Sequence, residues 1–378
     1  MVLNGGGMKL TIERGALLKA LSHAQSVVER RNTIPILANV RLECTDGRLM
    51  VAATDMDLGV QEEVPANVEA EGATTAPAHT LHDIARKLPD GAQVALDASE
   101  GGQLQLRSGR SLFTLQTLPV DEFPVLANGD LPHRFRMSAR DLRSLIDRTR
   151  FAISTEETRY YLNGIYLHRA EHDGVPVLRA VATDGHRLAL VETPLPEGAT
   201  ELPGVIVPRK TVNEIHKLLD EESADVEVSL SETKIRFAFD HVVLTSKLID
   251  GTFPDYERVI PRGNDRILEV DCRQFSAAVD RVATISTEKT RAVKLGLGNN
   301  ILTLTATSAD SGTANEELEV SYASPPFEIG FNSRYLLEIS QQIEGDVAEV
   351  ALADPASPTV VRDKSDSSAL YVLMPMRV

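Results

Sequence analysis

His168-Arg169-Ala170-Glu171-His172 has the HxxEH spacing of a zinc hydrolase, in which two imidazoles hold the metal and the carboxylate acts as base. That chemistry needs both histidines on one face of a helix. Here Ile165-Tyr166-Leu167 reads as a strand and Asp173-Gly174 as a hairpin turn. In an extended chain, residues four apart are separated by about 13 Å, too far to share one zinc without a turn between them. A surface hairpin is therefore the expectation for His168, Glu171 and His172, with a zinc hydrolase as the alternative. His186 near Asp184 could form a general base. No Ser or Cys sits in a recognisable nucleophile elbow nearby, so His186 is expected to orient a loop. Gly5-Gly6-Gly7 lacks the strand, the helix and the Lys-Ser/Thr pair of a phosphate-cradling loop, and no Gly-Lys pair occurs anywhere in the chain. Cys44 and Cys272 have no ligand spacing and read as reduced thiols in a cytoplasmic protein. The expectation is a protein with no catalytic site, no metal and no cofactor.

The elements that hold these residues follow from length and periodicity. The 378 residues allow two to four domains; 42% are hydrophobic, so a large core needs no covalent staple. Aromatic residues are only 4%, with no Trp, which predicts a mainly aliphatic core. No apolar run approaches the roughly 18–20 residues of a spanning helix. Residues 1–7 read as a tail or alternative start outside the fold, since alternation begins at Met8.

The chain repeats itself. Leu10-Thr11-Ile12, Phe135-Arg136-Met137 and Leu268-Glu269-Val270 each lead into a helix with an apolar face, on which Leu17, Leu142 and Phe275 coincide. Ala53-Thr54-Asp55, Ala182-Thr183-Asp184 and Ala306-Thr307-Ser308 follow in the same order. So do the helical pairs Leu81/Ile84, Val212/Ile215 and Leu336/Ile339, and then Phe123-Pro124 and Phe253-Pro254. A period of about 126 residues is far longer than a solenoid repeat and means triplicated domains. Arg41–Cys44 and Val226–Leu230 show the alternation of antiparallel strands, and Asp46-Gly47, Asp90-Gly91, Asp173-Gly174 and Asn128-Gly129 supply turns. The fold class is α+β: three tandem similar domains, 8–128, 133–262 and 265–378, each an antiparallel sheet with two helices. Pro/Gly/Asp-rich linkers fall near Ala127–Pro132 and Pro261–Asp265.

A net charge of −16 argues against a surface that grips nucleic acid everywhere. The charge is not evenly spread. Helices expected at 14–31, 79–88, 138–150, 208–219, 271–282 and 332–343 hold 16 Lys/Arg against 8 Asp/Glu. Strands and loops carry the acidic excess. Glu is as good a helix former as Lys, so helix propensity alone does not produce this bias. If the helices share one side of the sheets, that side attracts duplex phosphates while the acidic outside does not. No base-reading or zinc-finger pattern accompanies it, so contact would be independent of sequence and would permit sliding.

Several long motifs sharpen this reading. They are Arg159–Gly164, Ala182–Leu188, Val207–Lys210, Thr245–Leu248, Phe253–Tyr256 and Tyr371–Arg377, with Ile34–Leu37, Gly72–Thr75 and Arg107–Arg110 as further matches. On these motifs, and over residues 8 to 378, the chain resembles the bacterial sliding clamps, the beta subunits of DNA polymerase III. The resemblance implies the DNA clamp fold, dimerising head-to-tail into a closed ring with helices lining the hole. It also implies double-stranded DNA, the polymerase III catalytic subunit, a clamp loader and other proteins with the same short hydrophobic motif as partners.

Carried onto this chain, the resemblance implies a peptide pocket of Leu162, Thr183, Gly185, His186, Arg187, Leu188, Pro254, Arg258, Val259, Val372, Met374, Pro375, Met376 and Arg377, flanked by Asn332 and Tyr335. Such a mixture of Leu, Val, Pro and Met makes an adaptable apolar cleft, in which Arg187 and Arg377 could orient a peptide. Arg31, Tyr160, Tyr161, Arg209 and Lys210 would face DNA. Phe113, Arg107 and Arg110 would meet Ile285 and the Glu316-Glu317 stretch of a second copy. Four positions depart from the family pattern. Val28-Glu29-Arg30-Arg31-Asn32 replaces a Gly-rich turn, and Glu156 replaces a neutral DNA-contacting residue. Pro358 replaces a small hydroxyl residue at the pocket, and Thr284 an apolar interface residue.

Overall fold

The computed structural model describes residues 7–99, 101–126, 129–219 and 225–378. The glycines at 5 and 6, Ala127 and the Asn128 of the Asn128-Gly129 turn lie outside them. Met8 is fully buried and its carbonyl accepts from the Ala98 amide at 2.8 Å, so the packed chain includes Met8.

Six α-helices occur among the described residues: α1 (Arg14–Val27), α2 (Ala78–Lys87), α3 (Ala139–Asp147), α4 (Arg209–Leu218), α5 (Cys272–Ala283) and α6 (Ser333–Ser340). Their starts follow from local chemistry. Glu13 accepts from the Ala16 amide at 3.0 Å, Asp271 from Gln274 at 2.9 Å and Asn332 from Arg334 at 3.0 Å, each satisfying an otherwise orphaned helix N–H. In α1 the buried stripe is Leu17, Ala20, Leu21, Ala24 and Val27, the spacing of one helical face.

One boundary differs from the sequence expectation. Helix α1 stops at Val27, and Val28 is extended with its carbonyl 3.1 Å from His79 Nε2. Arg30 and Arg31 therefore lie on the segment beyond the helix. With the observed bounds the six helices hold 12 Lys/Arg against 6 Asp/Glu, the same two-to-one bias.

The chain divides into two compact units that do not follow the three repeats. Unit 1 is Met1–Arg143, Pro196–Pro203 and Lys210–Leu248; unit 2 is Ser144–Leu195, Gly204–Arg209 and Ile249–Val378. Each holds two antiparallel sheets, one of them assembled from strands of successive repeats. In unit 1 an eight-stranded sheet is joined where Leu58–Pro65 pairs with Val242–Lys247, Leu244 opposite Val60. A five-stranded sheet runs from Asn67–Ala70 to Ser111–Gln116.

In unit 2 the equivalent seam is Arg187–Pro194 against Asp366–Leu373, Leu188 opposite Val372, within a nine-stranded sheet. A four-stranded sheet ends on Gly312–Glu319. Aliphatic side chains dominate the core, with Tyr371, Phe237 and Phe331 the largest fully buried groups.

Candidate peptide groove and nucleic-acid surface

The peptide-groove residues lie in unit 2, around the strand seam. Leu162, Leu188 and Val372 are buried in one cluster with Phe253 and Tyr256. Exposed above that cluster are Pro254, Val259 (52% exposed) and Met374 (40%). The loop that leads from Val175–Thr183 into the seam strand Arg187–Pro194 is built from its own side chains. Thr183 Oγ1 donates to the Arg187 carbonyl (2.7 Å) and accepts from the Gly185 amide (3.2 Å); Asp184 Oδ1 accepts from the His186 and Arg187 amides at 2.9 and 3.1 Å. Gly185 sits at φ +87°, and a Cβ there would lie 2.9 Å from Arg159, so this turn requires glycine.

Two contacts join this loop to its neighbours, and a third ties the neighbours together. His186 stacks on Tyr335 of α6 at 6.2 Å, and its carbonyl accepts from the Met374 amide at 2.9 Å. The Met376 amide donates to Gly330 at 2.8 Å, just before Asn332 caps α6. The loop, the Met374–Met376 segment and the start of α6 are thus brought together. Pro375 and Met376 are half-buried and Arg377 is exposed beyond them, while Arg258 turns to Asp255 at 2.8 Å.

Arg187 behaves differently from the expectation that it could orient a bound peptide. It is only 7% exposed. Its Nε reaches Asp184 (3.1 Å), one terminal nitrogen reaches Glu338 and the other the Phe151 carbonyl (2.9 Å). The guanidinium also lies 4.2 Å from the Tyr335 ring centre. Burial pulls its pKa below the ordinary arginine value, against the opposing pull of Asp184. All its nitrogens are engaged by the protein, so Arg187 is an internal brace that sets the loop against α6. Its partners Glu338 and Phe151 carry no sequence signal; Glu338 reads simply as the i+4 partner of Arg334, a contact it also makes at 3.0 Å.

Of the residues expected to face DNA, Arg31, Arg209 and Tyr160 are exposed, Tyr160 by 53%, with Tyr161 half-buried and edge-on to Tyr160 at 5.8 Å. Lys210, also expected to face DNA, is engaged within its own chain. Its Nζ lies 2.5 Å from Glu29, 2.5 Å from Asp55 and 3.1 Å from the Val27 carbonyl, all within unit 1. Burial opposes its charge, but the Asp55 and Glu29 carboxylates outweigh that and raise its pKa. Glu156 is paired in the same way, with Arg159 at 2.5 Å, and that partner lowers its pKa.

The HxxEH residues go to separate partners. They lie on the strand Gly164–His172, followed by a turn with φ +50° at Asp173 and +78° at Gly174. His168 stacks on Tyr166 (4.4 Å) with Nε2 2.8 Å from the Tyr256 hydroxyl, His172 meets Glu192 at 2.6 Å, and Glu171 pairs with Arg169. Among the described residues no group of three His, Cys, Asp or Glu side chains is placed to hold a metal.

Comparison with known proteins decides the family. Models of the DNA polymerase III beta subunit match in series: the N-terminal domain over residues 8–127, the central domain over 136–255 and the C-terminal domain over 257–377. The chain belongs to the DNA polymerase III beta subunit family. The Beta sliding clamp of Caulobacter vibrioides is 56% identical over 98% of this chain and all of its own length, and that of Escherichia coli K12 is 38% identical over the same shares. Among solved structures, a Caulobacter crescentus beta sliding clamp superposes with a TM-score of 0.96 at 55% identity, covering 99% of this chain and all of that one. A Bartonella birtlesii sliding clamp bound to griselimycin gives 0.95 at 51% identity, covering 98% and 100%. The family is a non-catalytic processivity factor, and the three tandem clamp domains expected from the repeats are present.

Three further positions named from the resemblance have partners within the chain. Glu316, expected to meet basic residues of a second copy, is paired with Arg281 of its own chain at 2.5 Å. That partner lowers the Glu316 pKa, so its charge is already compensated. Thr284 ends α5 with its hydroxyl 3.3 Å from the Asp280 carbonyl, and the Pro358 carbonyl accepts from Asn264 at 2.9 Å.

Proposed function

We propose that this sliding clamp closes head-to-tail with a second copy around duplex DNA and tethers the replicative polymerase, the clamp loader and other partners through the unit 2 groove. The observation that carries the tethering role is the exposed apolar rim of Pro254, Val259 and Met374 above the buried Leu162, Leu188 and Val372. A rigid floor braced by Arg187 with an adaptable Met at its rim suits a short hydrophobic peptide that many partners can carry. Pro375, Met376 and Arg377 extend that rim, with Asn332 and Tyr335 at its flank. The domains take the spans 8–128, 133–262 and 265–378.

Closure uses the two end strands. Ser111–Gln116 exposes Leu112 by 51% and is flanked by Arg107 and Arg110, with Phe113 half-buried on it. Gly312–Glu319 ends the other small sheet and carries Glu317 and Glu319 outward, with Ile285 half-buried after α5. An unpaired, basic-flanked end strand and an unpaired acidic one are complementary. Arg31, Tyr160, Tyr161 and Arg209 supply sequence-independent DNA contact.

The test is a titration of a labelled Gln-Leu-Ser-Leu-Phe peptide into the wild type and Met374→Ala. Binding weakened roughly five- to tenfold in a variant with unchanged melting supports the groove. Equal affinity for both proteins would move the tethering site elsewhere.

A further inference from the structure

An ammonium group has three N–H donors and no more. In Lys210 all three are directed at protein oxygens: Val27 O, Glu29 Oε1 and Asp55 Oδ2. The three acceptors are not equivalent. Val27 is the last residue of α1, so its carbonyl is one of the four at the helix end without an intrahelical partner. Asp55 is held: its side chain is 15% exposed, and its other oxygen accepts from the Asp57 and Leu58 amides at 3.0 and 2.8 Å. Glu29 is 59% exposed and stands on the segment just past α1. An ion pair with so exposed a partner is cheap to open. Of the three oxygens on Lys210, only the Glu29 carboxylate can be replaced at little cost by another anion.

We propose that Glu29 occupies on Lys210 the position a DNA phosphate would take, so that this cation grips DNA only when Glu29 is displaced. The inference rests on the DNA-contact reading above. A carboxylate and a phosphate oxygen are both charged acceptors for the same donor. The displaced Glu29 stays tethered beside the phosphate and repels it, so the contact is weak and quickly reversed. In a protein that holds DNA by enclosure, a loose grip costs no retention and lowers friction along the duplex. Neighbouring Arg209 is exposed and stays available for phosphate contact.

The experiment measures binding of the full chain to a short labelled primed duplex across a salt series, for wild type, Glu29→Gln, Lys210→Met and the double variant. Glu29→Gln should bind roughly two- to fivefold tighter at low salt. Its log K against log salt should steepen by about 0.9, the signature of one added phosphate contact. Lys210→Met leaves the Glu29 and Asp55 carboxylates uncompensated, so it should bind no tighter than wild type, and it should cancel the gain in the double variant. An unchanged affinity and slope in Glu29→Gln would overturn the inference, as would a gain that persists without Lys210. No binding by any of the four folded proteins would overturn the DNA-contact reading itself, and the inference with it. Thermal melting of each variant establishes that it is folded.

Discussion

The same turn is built twice, and its second carboxylate oxygen is used in two ways. After Ala53-Thr54-Asp55 and after Ala182-Thr183-Asp184, the Thr hydroxyl donates to a carbonyl four residues on, at 2.9 and 2.7 Å. In both, one Asp oxygen accepts two backbone amides. The remaining oxygen takes a cation. In unit 1 that cation is Lys210, which arrives from a distant helix and is one-third exposed. In unit 2 it is Arg187 of the turn itself, which is buried and continues to Glu338 on α6. The third copy, Ala306-Thr307-Ser308, has no carboxylate; Ser308 Oγ accepts from the Ser311 amide at 3.3 Å. A planar guanidinium can satisfy three acceptors in a rigid fork and so can weld a loop to a helix. An ammonium near solvent makes a looser, exchangeable tie. One turn therefore braces a loop against α6, while its repeat holds a more exposed cation.

The difference predicts a ranking. Arg187→Ala takes the buried cation from Asp184 and leaves Glu338 with its Arg334 pairing, and should cost about 3–5 kcal/mol. By calorimetry that should appear as a fall in unfolding midpoint on the order of 10 °C, with peptide binding lost alongside. Asp55→Asn keeps the amide-accepting oxygen and loses only the charge on Lys210, so it should cost about 1–2 kcal/mol in the same measurement. Equal losses for the two would break the contrast between weld and tie.

The smallest effect concerns the strands paired with those that lead into the turns. Where unit 1 pairs Arg41 with Glu43 at 2.7 Å, the corresponding strand of unit 2 stacks Tyr166 on His168. Burial lowers the His168 pKa below 6.5. The unfolded chain then takes up a proton before the folded one does. The contribution of His168 is therefore whole above about pH 6.5 and is lost as pH falls from there through the folded pKa. Melting of the wild type should decline more steeply between about pH 7 and 5 than that of His168→Gln. Parallel curves would show that the imidazole titrates alike in both states.

Much of this was legible before any coordinates. The Ala-Thr-Asp turns, the Phe-Pro pairs and the strand–helix starts are short-range features, and their order is written in the chain. The hairpin at Asp173-Gly174 follows from turn chemistry alone, which is why the HxxEH spacing misleads only if periodicity is ignored. The peptide-groove residues came from family resemblance, and most are gathered at the seam. What could not be read was where two cations spend their charge. Lys210 and Arg187 each look free in sequence, because their partners Glu29, Asp55 and Glu338 lie 151 or more residues away. The end of α1 was also missed, since nothing in Val27-Val28-Glu29-Arg30 breaks a helix; the extended Val28, whose carbonyl meets His79, does.

The two unlike end strands have a consequence for symmetry. An acidic edge repels its own kind, so Gly312–Glu319 is discouraged from pairing with the same strand of another copy and is left to seek the other edge. Contacts between unlike edges are heterologous, and they generate a ring only by rotation about an axis through the hole. Such a ring has a front and a back that no symmetry operation exchanges. Every copy then presents its groove toward the same side, so whatever docks there meets the DNA from one direction.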